Sequence, residues 1–251
     1  MQTTPAAWLP APADLRLLPG EVHIWRLELD LPAARQAALS ALLSLDEQRR
    51  CAAFRTTQLQ QRFSAAHGWL RLLLSRYLAC DPAALAFTAN PWGKPSLAAP
   101  APGKGGDGEG RICFNLTHSA SLALLAVARD ARLGIDLEVP RPGVETEALW
   151  QRYFSPAEQA ALVQLPLGLH ERAFYAVWTR KEAYMKAVGK GLAIPLDSFT
   201  VSVHPDEPAL LLQAADEDLG VWTLQDLLPA AGCPACAAID RPVTAWRCWT
   251  V

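Results

Sequence analysis

In the run Leu133-Gly-Ile-Asp-Leu-Glu138 the two-residue period of a strand places Asp136 and Glu138 on one face and Leu133, Ile135 and Leu137 on the other. Two carboxylates side by side suit Mg²⁺, a hard ion that takes a few carboxylate oxygens and completes its shell with water and phosphate. The same pattern is also that of a half-exposed strand with a polar face. Further on, Trp178, Glu182 and Lys186 recur every four residues, with Lys181 and Met185 beside them. On a helix that spacing stacks an acid and a base on one face, and it equally describes an ordinary Glu-to-Lys surface pair next to a core tryptophan. A third segment, Phe114-Asn-Leu-Thr-His-Ser119, runs from a strand into a turn rich in hydroxyls with one imidazole. Amides and short side chains at a strand end hold phosphate groups, and they also make plain turns around a solvated histidine.

The elements that must carry these residues are legible in outline. Val22 to Leu29 alternates, with Val22 and Ile24 facing one way and Trp25, Leu27 and Leu29 the other, as in a strand. Ser44-Leu-Asp-Glu47 has capping-box spacing and opens an interrupted helical stretch through Phe54, Phe63, Trp69, Leu73 and Tyr77, which Asp81-Pro82 ends. Asn90 to Gly110 holds four prolines and six glycines and is expected to be a surface excursion. Strands are expected at Ile112 to Leu116, Leu122 to Ala128 and Leu133 to Val139. Ser155-Pro-Ala-Glu158 is a second capping box, and Glu171 to Val188 reads as a helix stopped by Gly189 and Gly191. Strand-like segments follow at Ser198 to Val203, Ala209 to Gln213, Val221 to Leu227, Cys236 to Ile239 and Val243 to Val251. Strand, helix, strands thus occurs once before about Asp130 and again after it. The expected architecture is an α+β chain of two similar halves, 1–130 and 131–251, the second carrying the acids.

Composition excludes several function classes. With 251 residues, 51% of them hydrophobic, the chain buries a substantial core. Lys plus Arg number 23 against 25 acids, a formal charge of -2, which leaves no broad basic surface for nucleic acid. No segment reaches the ~18 consecutive apolar residues of a membrane span. The amino terminus has prolines and an aspartate where a signal peptide needs a basic start and an apolar run, so the cytoplasm is expected. Six cysteines at irregular spacing make no disulfide framework, and Cys233 and Cys236 lack a second metal-ligand pair.

Taken together and in this order, the segments resemble the Sfp-type 4′-phosphopantetheinyl transferases. The resemblance runs from about Ser44 to Val203. It is carried by Gly93-Lys-Pro95, Phe114 to Ser119, Gly134-Ile-Asp-Leu-Glu138, Phe154-Ser-Pro-Ala-Glu158, Trp178 through Lys181-Glu-Ala-Tyr-Met-Lys186 to Leu192, and Pro195-Leu-Asp-Ser-Phe199. It implies a pseudo-dimer of two α+β halves with coenzyme A in the cleft between them, acting as a monomer. The implied reaction transfers the phosphopantetheine of coenzyme A to a serine of an apo acyl or peptidyl carrier protein and releases 3′,5′-ADP. The same resemblance assigns Asp136, Glu138 and Glu182 to Mg²⁺, Lys186 to the pyrophosphate, Lys94 and Pro95 to the neighbourhood of the adenine, and Thr117 and His118 to phosphate groups. Glu182 is the expected base for the serine proton, directly or through water. Where some relatives place two lysines for the 3′-phosphate, this chain has Glu47 and Arg50, which leaves Arg50 as the contact. A coenzyme A-binding or carrier-binding module without turnover is the competing reading, and the presence of all three acids and Lys186 argues against it. No GxxxxGK[ST] loop marks a different nucleotide enzyme.

Overall fold

Both capping boxes form. Ser44 Oγ accepts the Glu47 amide at 3.3 Å while Glu47 Oε2 accepts the Ser44 amide at 2.8 Å, and Ser155 and Glu158 repeat the exchange with the same distances. The computed structural model describes residues 7–98, 110–215 and 217–251, so the Gly103 to Gly110 insert lies outside the described residues except for its last glycine. Its strands and helices run β1 (Leu9–Pro10), β2 (Glu21–Glu28), α1 (Ala33–Ser40), α2 (Leu45–Ala52), α3 (Thr57–Leu78), β3 (Phe87–Ala89), β4 (Pro95–Leu97), β5 (Ile112–Ser119), β6 (Leu122–Arg129) and β7 (Leu133–Leu137). They continue through α4 (Thr146–Tyr153), α5 (Pro156–Val163), α6 (His170–Val188), β8 (Thr200–Val201), β9 (Leu211–Gln213), β10 (Thr223–Ala230), β11 (Cys233–Ile239) and β12 (Ala245–Thr250).

The main sheets have the orders β1-β12-β2-β6-β5 and β10-β11-β7. One topology occurs twice. Strand, helix, strand, strand is β2, α3, β5, β6 in the first half with sheet order β2-β6-β5, and β7, α6, β10, β11 in the second with order β7-β11-β10. All of these pairings are antiparallel. The fold is therefore α+β, and the repetition is what a pseudo-dimer requires. The last strand crosses back, since β12 pairs in parallel with β2.

Strand periodicity decides the layers. Trp25, Leu27 and Leu29 face α3, where they meet Trp69, Leu73 and Leu74. Val22 and Ile24 point the other way and join Leu133, Ile135 and Leu137 between the two sheets, as their alternation predicts. The outer face of the small sheet gives Cys236 and Ala238 to a third core with Phe174, Val177 and Tyr184 of α6. Each large side chain buried in this way contributes about 1.5–3 kcal/mol.

Three features depart from the sequence expectation. Helix α1 buries only Leu39, too little for an apolar stripe to show; its seat is Gly68 of α3, where a Cβ would stand 2.6 Å from the Leu39 carbonyl oxygen. Helix α4 likewise buries only Trp150 and has no side-chain cap. Part of the Asn90 to Gly110 excursion is ordered, because Pro95–Leu97 pairs with Phe87–Ala89 across a turn in which Gly93 takes φ +87°. All six cysteines are free thiols, and Cys233 and Cys236 lie in β11.

Candidate active site

Strands β5 and β7 belong to different sheets, and their side chains join them. Asn115 Oδ1 accepts the Ile135 amide at 2.8 Å, Thr117 Oγ1 donates to Asp136 Oδ1 at 3.3 Å, and Ser119 Oγ donates to Glu138 Oε2 at 3.2 Å. Ser119 Oγ also accepts the Val139 amide at 3.1 Å. The three polar residues fall at positions i, i+2 and i+4 of β5, one face of a strand. The opposite face carries Phe114 and Leu116 to the α3 core. The Thr-His-Ser turn of the sequence is thus the end of a strand, with the turn itself at Ala120.

Helix α6 lies against β7 with almost no space between them. A Cβ on Gly134 would stand 2.1 Å from the Ala183 carbonyl oxygen and 2.3 Å from the Ala187 amide nitrogen, so this strand position accepts only glycine. The close approach brings Lys186 Nζ to 2.5 Å from Asp136 Oδ1 and 3.1 Å from Thr117 Oγ1. Asp136 is buried, and its second oxygen, Oδ2, has no hydrogen-bond partner. Such an atom costs about 1–3 kcal/mol, so its persistence calls for an explanation.

Charge crowds the same place. Burial first, and then the Asp136 carboxylate, pushes Glu138 above the ordinary carboxylate range, against the Ser119 hydrogen bond and the charges of Lys186 and Arg141. Glu182 is raised in the same manner by burial, Asp136 and Glu138, with Lys186 opposing. Burial, followed by the charges of Lys186 and His67, holds His118 below its usual value. Among the described residues no three His, Cys, Asp or Glu side chains are gathered closely enough to hold a metal ion. The donor set nevertheless fits a hard divalent cation. All its atoms are carboxylate oxygens, one of them is buried without a partner, and two of the carboxyl groups are raised, first by burial and then by neighbouring acids.

The other residues singled out in the sequence lie at several places in the fold. Arg50 lies in the last turn of α2 with its guanidinium 5.3 Å from the Phe63 ring centroid, and Phe63 stacks on His67 at 4.1 Å. Pro95 is exposed at the start of β4. The Lys94 ammonium turns to backbone oxygens, donating to Leu133 and Ala187 at 2.9 Å each. Trp178 packs on Phe174 and Tyr153 and is a core-edge residue. Lys181 is fully buried and donates to Glu158 at 2.7 Å and to the Phe199 carbonyl at 2.6 Å.

The comparisons with known proteins decide the family. Residues 132–239 match the model of the 4′-phosphopantetheinyl transferase superfamily. The 4′-phosphopantetheinyl transferase HetI of Nostoc sp. is 40% identical over 92% of this chain and 93% of its own length. The chain belongs to the 4′-phosphopantetheinyl transferase superfamily. More distant members are the 4′-phosphopantetheinyl transferase Sfp of Bacillus subtilis, 26% identical over 74% of this chain and 78% of its own, and a phosphopantetheinyl transferase of Thraustochytrium sp., 28% identical over 83% and 76%. As a phosphopantetheinyl transferase it is an enzyme.

Sequence reasoning missed four parts of this transferase's seam. Asn115 and Ser119 join the strands, Gly134 admits α6, and His67, whose charge acts on His118, has Nδ1 3.2 Å from Glu47 Oε1. The polar alternation of Asn115, Thr117 and Ser119 was the available signal for the first two. Nothing local marked His67, because its role depends on how α2, α3 and β5 meet.

Proposed function

We propose that this enzyme binds coenzyme A along the seam between residues 1–130 and 131–251 and transfers its phosphopantetheine to the serine of an apo acyl or peptidyl carrier protein, as a cytoplasmic monomer. The observation that carries the site assignment is the joint contact of Lys186 and Thr117 on Asp136 Oδ1, with Asp136 Oδ2 buried and unpartnered. Asp136, Glu138 and Glu182 are the residues that would hold Mg²⁺, which when bound neutralises charge on the pyrophosphate.

The serine Oγ attacks the β-phosphorus, a new O–P bond forms, the bond to the bridging oxygen breaks, and its electron pair leaves on 3′,5′-ADP. The serine proton passes to Glu182. Burial and the neighbouring acids give that carboxylate a greater proton affinity than a free one has, which suits a base. Lys186 supplies a fixed positive charge to the pyrophosphate, with Thr117 beside it, while His118 meets a phosphate and Arg50 the 3′-phosphate. Lys94 and Pro95 place the β3–β4 turn near the adenine.

Mass spectrometry of an apo carrier protein incubated with enzyme, coenzyme A and Mg²⁺ tests this. The expected product is the carrier with one phosphopantetheine on its serine, formed with Mg²⁺ and absent in excess chelator. An unmodified carrier with Mg²⁺ present would overturn the function, and unchanged transfer in chelator would overturn the metal.

A further inference from the structure

The β3–β4 hairpin belongs to the first half yet grips the second. Asn90 Oδ1 accepts the amides of Trp92 and Lys94 at 3.0 and 2.9 Å, which shapes the turn, and its Nδ2 donates to the Gly189 carbonyl at 2.7 Å. The stem of Lys94 lies over Gly189, where an added Cβ would come within 2.8 Å of Lys94 Cδ. At its tip the ammonium donates to Leu133 O, at the start of β7, and to Ala187 O, in the last turn of α6. Ala187 O is one of the helix-end carbonyls that lack a partner within the helix, and a cation there also meets the negative end of the helix dipole.

We propose that Lys94 is a positioning residue, which ties β7 to α6 and thereby sets Lys186 against the pyrophosphate of coenzyme A. The proposal rests on the proposed function. Leu133 and Ala187 flank the Gly134 contact, where α6 touches β7 with no side chain as spacer. Lys186 adjoins Ala187, and Asp136 lies three residues past Leu133, so a change in this spacing moves both partners of the 2.5 Å contact. Burial draws Lys94 down to about 8, but a neutral amine keeps two N–H groups, one for each carbonyl. Cys113 of β5, Asp240 after β11 and Arg132 before β7 are the other titratable or charged groups that act on it. Loss of the charge therefore leaves both bonds in place.

A double-mutant cycle tests the proposal: the parent, Lys94→Met, Lys186→Ala and the double variant, with KM for coenzyme A and kcat measured for each under saturating carrier. Lys94→Met is expected to raise KM about tenfold in the parent, as for loss of a charged hydrogen bond, and by less than about twofold in the Lys186→Ala background, because both act through one contact. Lys94→Arg, which keeps the charge and its donors, is expected to restore most of the affinity. Equal effects of Lys94→Met in both backgrounds would mean a direct contact with coenzyme A and overturn the proposal, as would an unchanged KM. If Lys94→Met does not fold, Lys94→Gln, which keeps an N–H donor, goes through the same cycle. A parent without transfer strikes at the function, whereas an active parent with additive variants strikes at Lys94 alone.

Discussion

Lys186 Nζ stands 2.5 Å from Asp136 Oδ1 where α6 crosses β7, while Glu182, one turn earlier on the same helix, is raised by burial and then by that same aspartate. One helix face therefore carries both Lys186 and Glu182 toward one carboxylate. The two should fail differently on substitution. Glu182→Gln is expected to lower kcat by about 100-fold or more with little change in coenzyme A affinity, since the amide keeps an oxygen but is no base. Lys186→Ala should weaken coenzyme A binding and turnover together, since its charge is felt in both ground and transition states. Steady-state kinetics with calorimetric binding of coenzyme A separates them. If both variants stay within a few-fold of the parent, α6 is only a scaffold.

The raised carboxylates make a stability prediction. Glu138 and Glu182 titrate higher in the folded chain than in the unfolded one. Above the ordinary carboxylate range the folded chain therefore holds protons that the unfolded chain has lost, and stability falls as pH rises through that window. Without divalent ions, Glu182→Gln should melt about 2 °C or more above the parent at pH 7.5, with the gap closing near pH 4. Mg²⁺ should raise the parent's midpoint more than the variant's, because binding to the folded state adds stability. Thermal melts across pH, with and without the ion, check both arms. A parent that melts level with the variant at pH 7.5 removes the electrostatic account.

Much of this candidate site is legible in the sequence, for a physical reason. Asp136, Glu138, Glu182 and Lys186 each sit on an element whose period is fixed locally, by Leu133, Ile135 and Leu137 in β7 and by the four-residue spacing in α6. The capping boxes at Ser44 and Ser155 are local too, and both form. What stayed hidden depends on tertiary approach. The resemblance places Lys94 near the adenine, but its bonds to Leu133 and Ala187 exist only because α6 ends beneath it, and Gly134 reads as a weak strand residue until Ala183 arrives. Helix α1 owes its place to Gly68, twenty-eight residues from Ser40 at its end, so its own eight residues gave no sign. Repetition of the β-α-β-β order was visible only as element order, because the two copies fill their cores with different residues.

Glu47, where some relatives have a phosphate-binding lysine, has a structural task. Burial would raise it, but hydrogen bonds from His67, Arg71 and the Ser44 amide win and hold it at about 2. Its contribution is present above the ordinary carboxylate range and is lost as pH falls toward about 2. Glu47→Gln leaves the buried Arg71 facing a neutral amide and the Pro82 and Leu85 carbonyls in place of a carboxylate, at an expected cost of about 3 kcal/mol. Urea unfolding at pH 7 measures it. A loss below about 1 kcal/mol would class the pair with exposed ion pairs and contradict its burial.

The Glu158–Lys181 pair is wholly buried, and its partners have unequal duties. Glu158 accepts from Lys181, from the Ser155 amide and from the Val201 amide, so it holds α5, α6 and β8 at once. Lys181 donates to Glu158 and to the Phe199 carbonyl and lies 4.1 Å from the Phe199 ring centroid, and burial already lowers its proton affinity. Removing the lysine leaves a carboxylate that still has two amide donors. Removing the glutamate strands two amides and an ammonium in a dry site, and the ammonium's escape is to lose its proton. Lys181→Met should therefore cost about 3 kcal/mol and Glu158→Leu about 5 kcal/mol or failure to fold. Denaturant unfolding of the two variants gives the order directly, and a Lys181→Met loss equal to or larger than that of Glu158→Leu would mean that the ion pair, rather than the carboxylate's amide bonds, holds these three elements together.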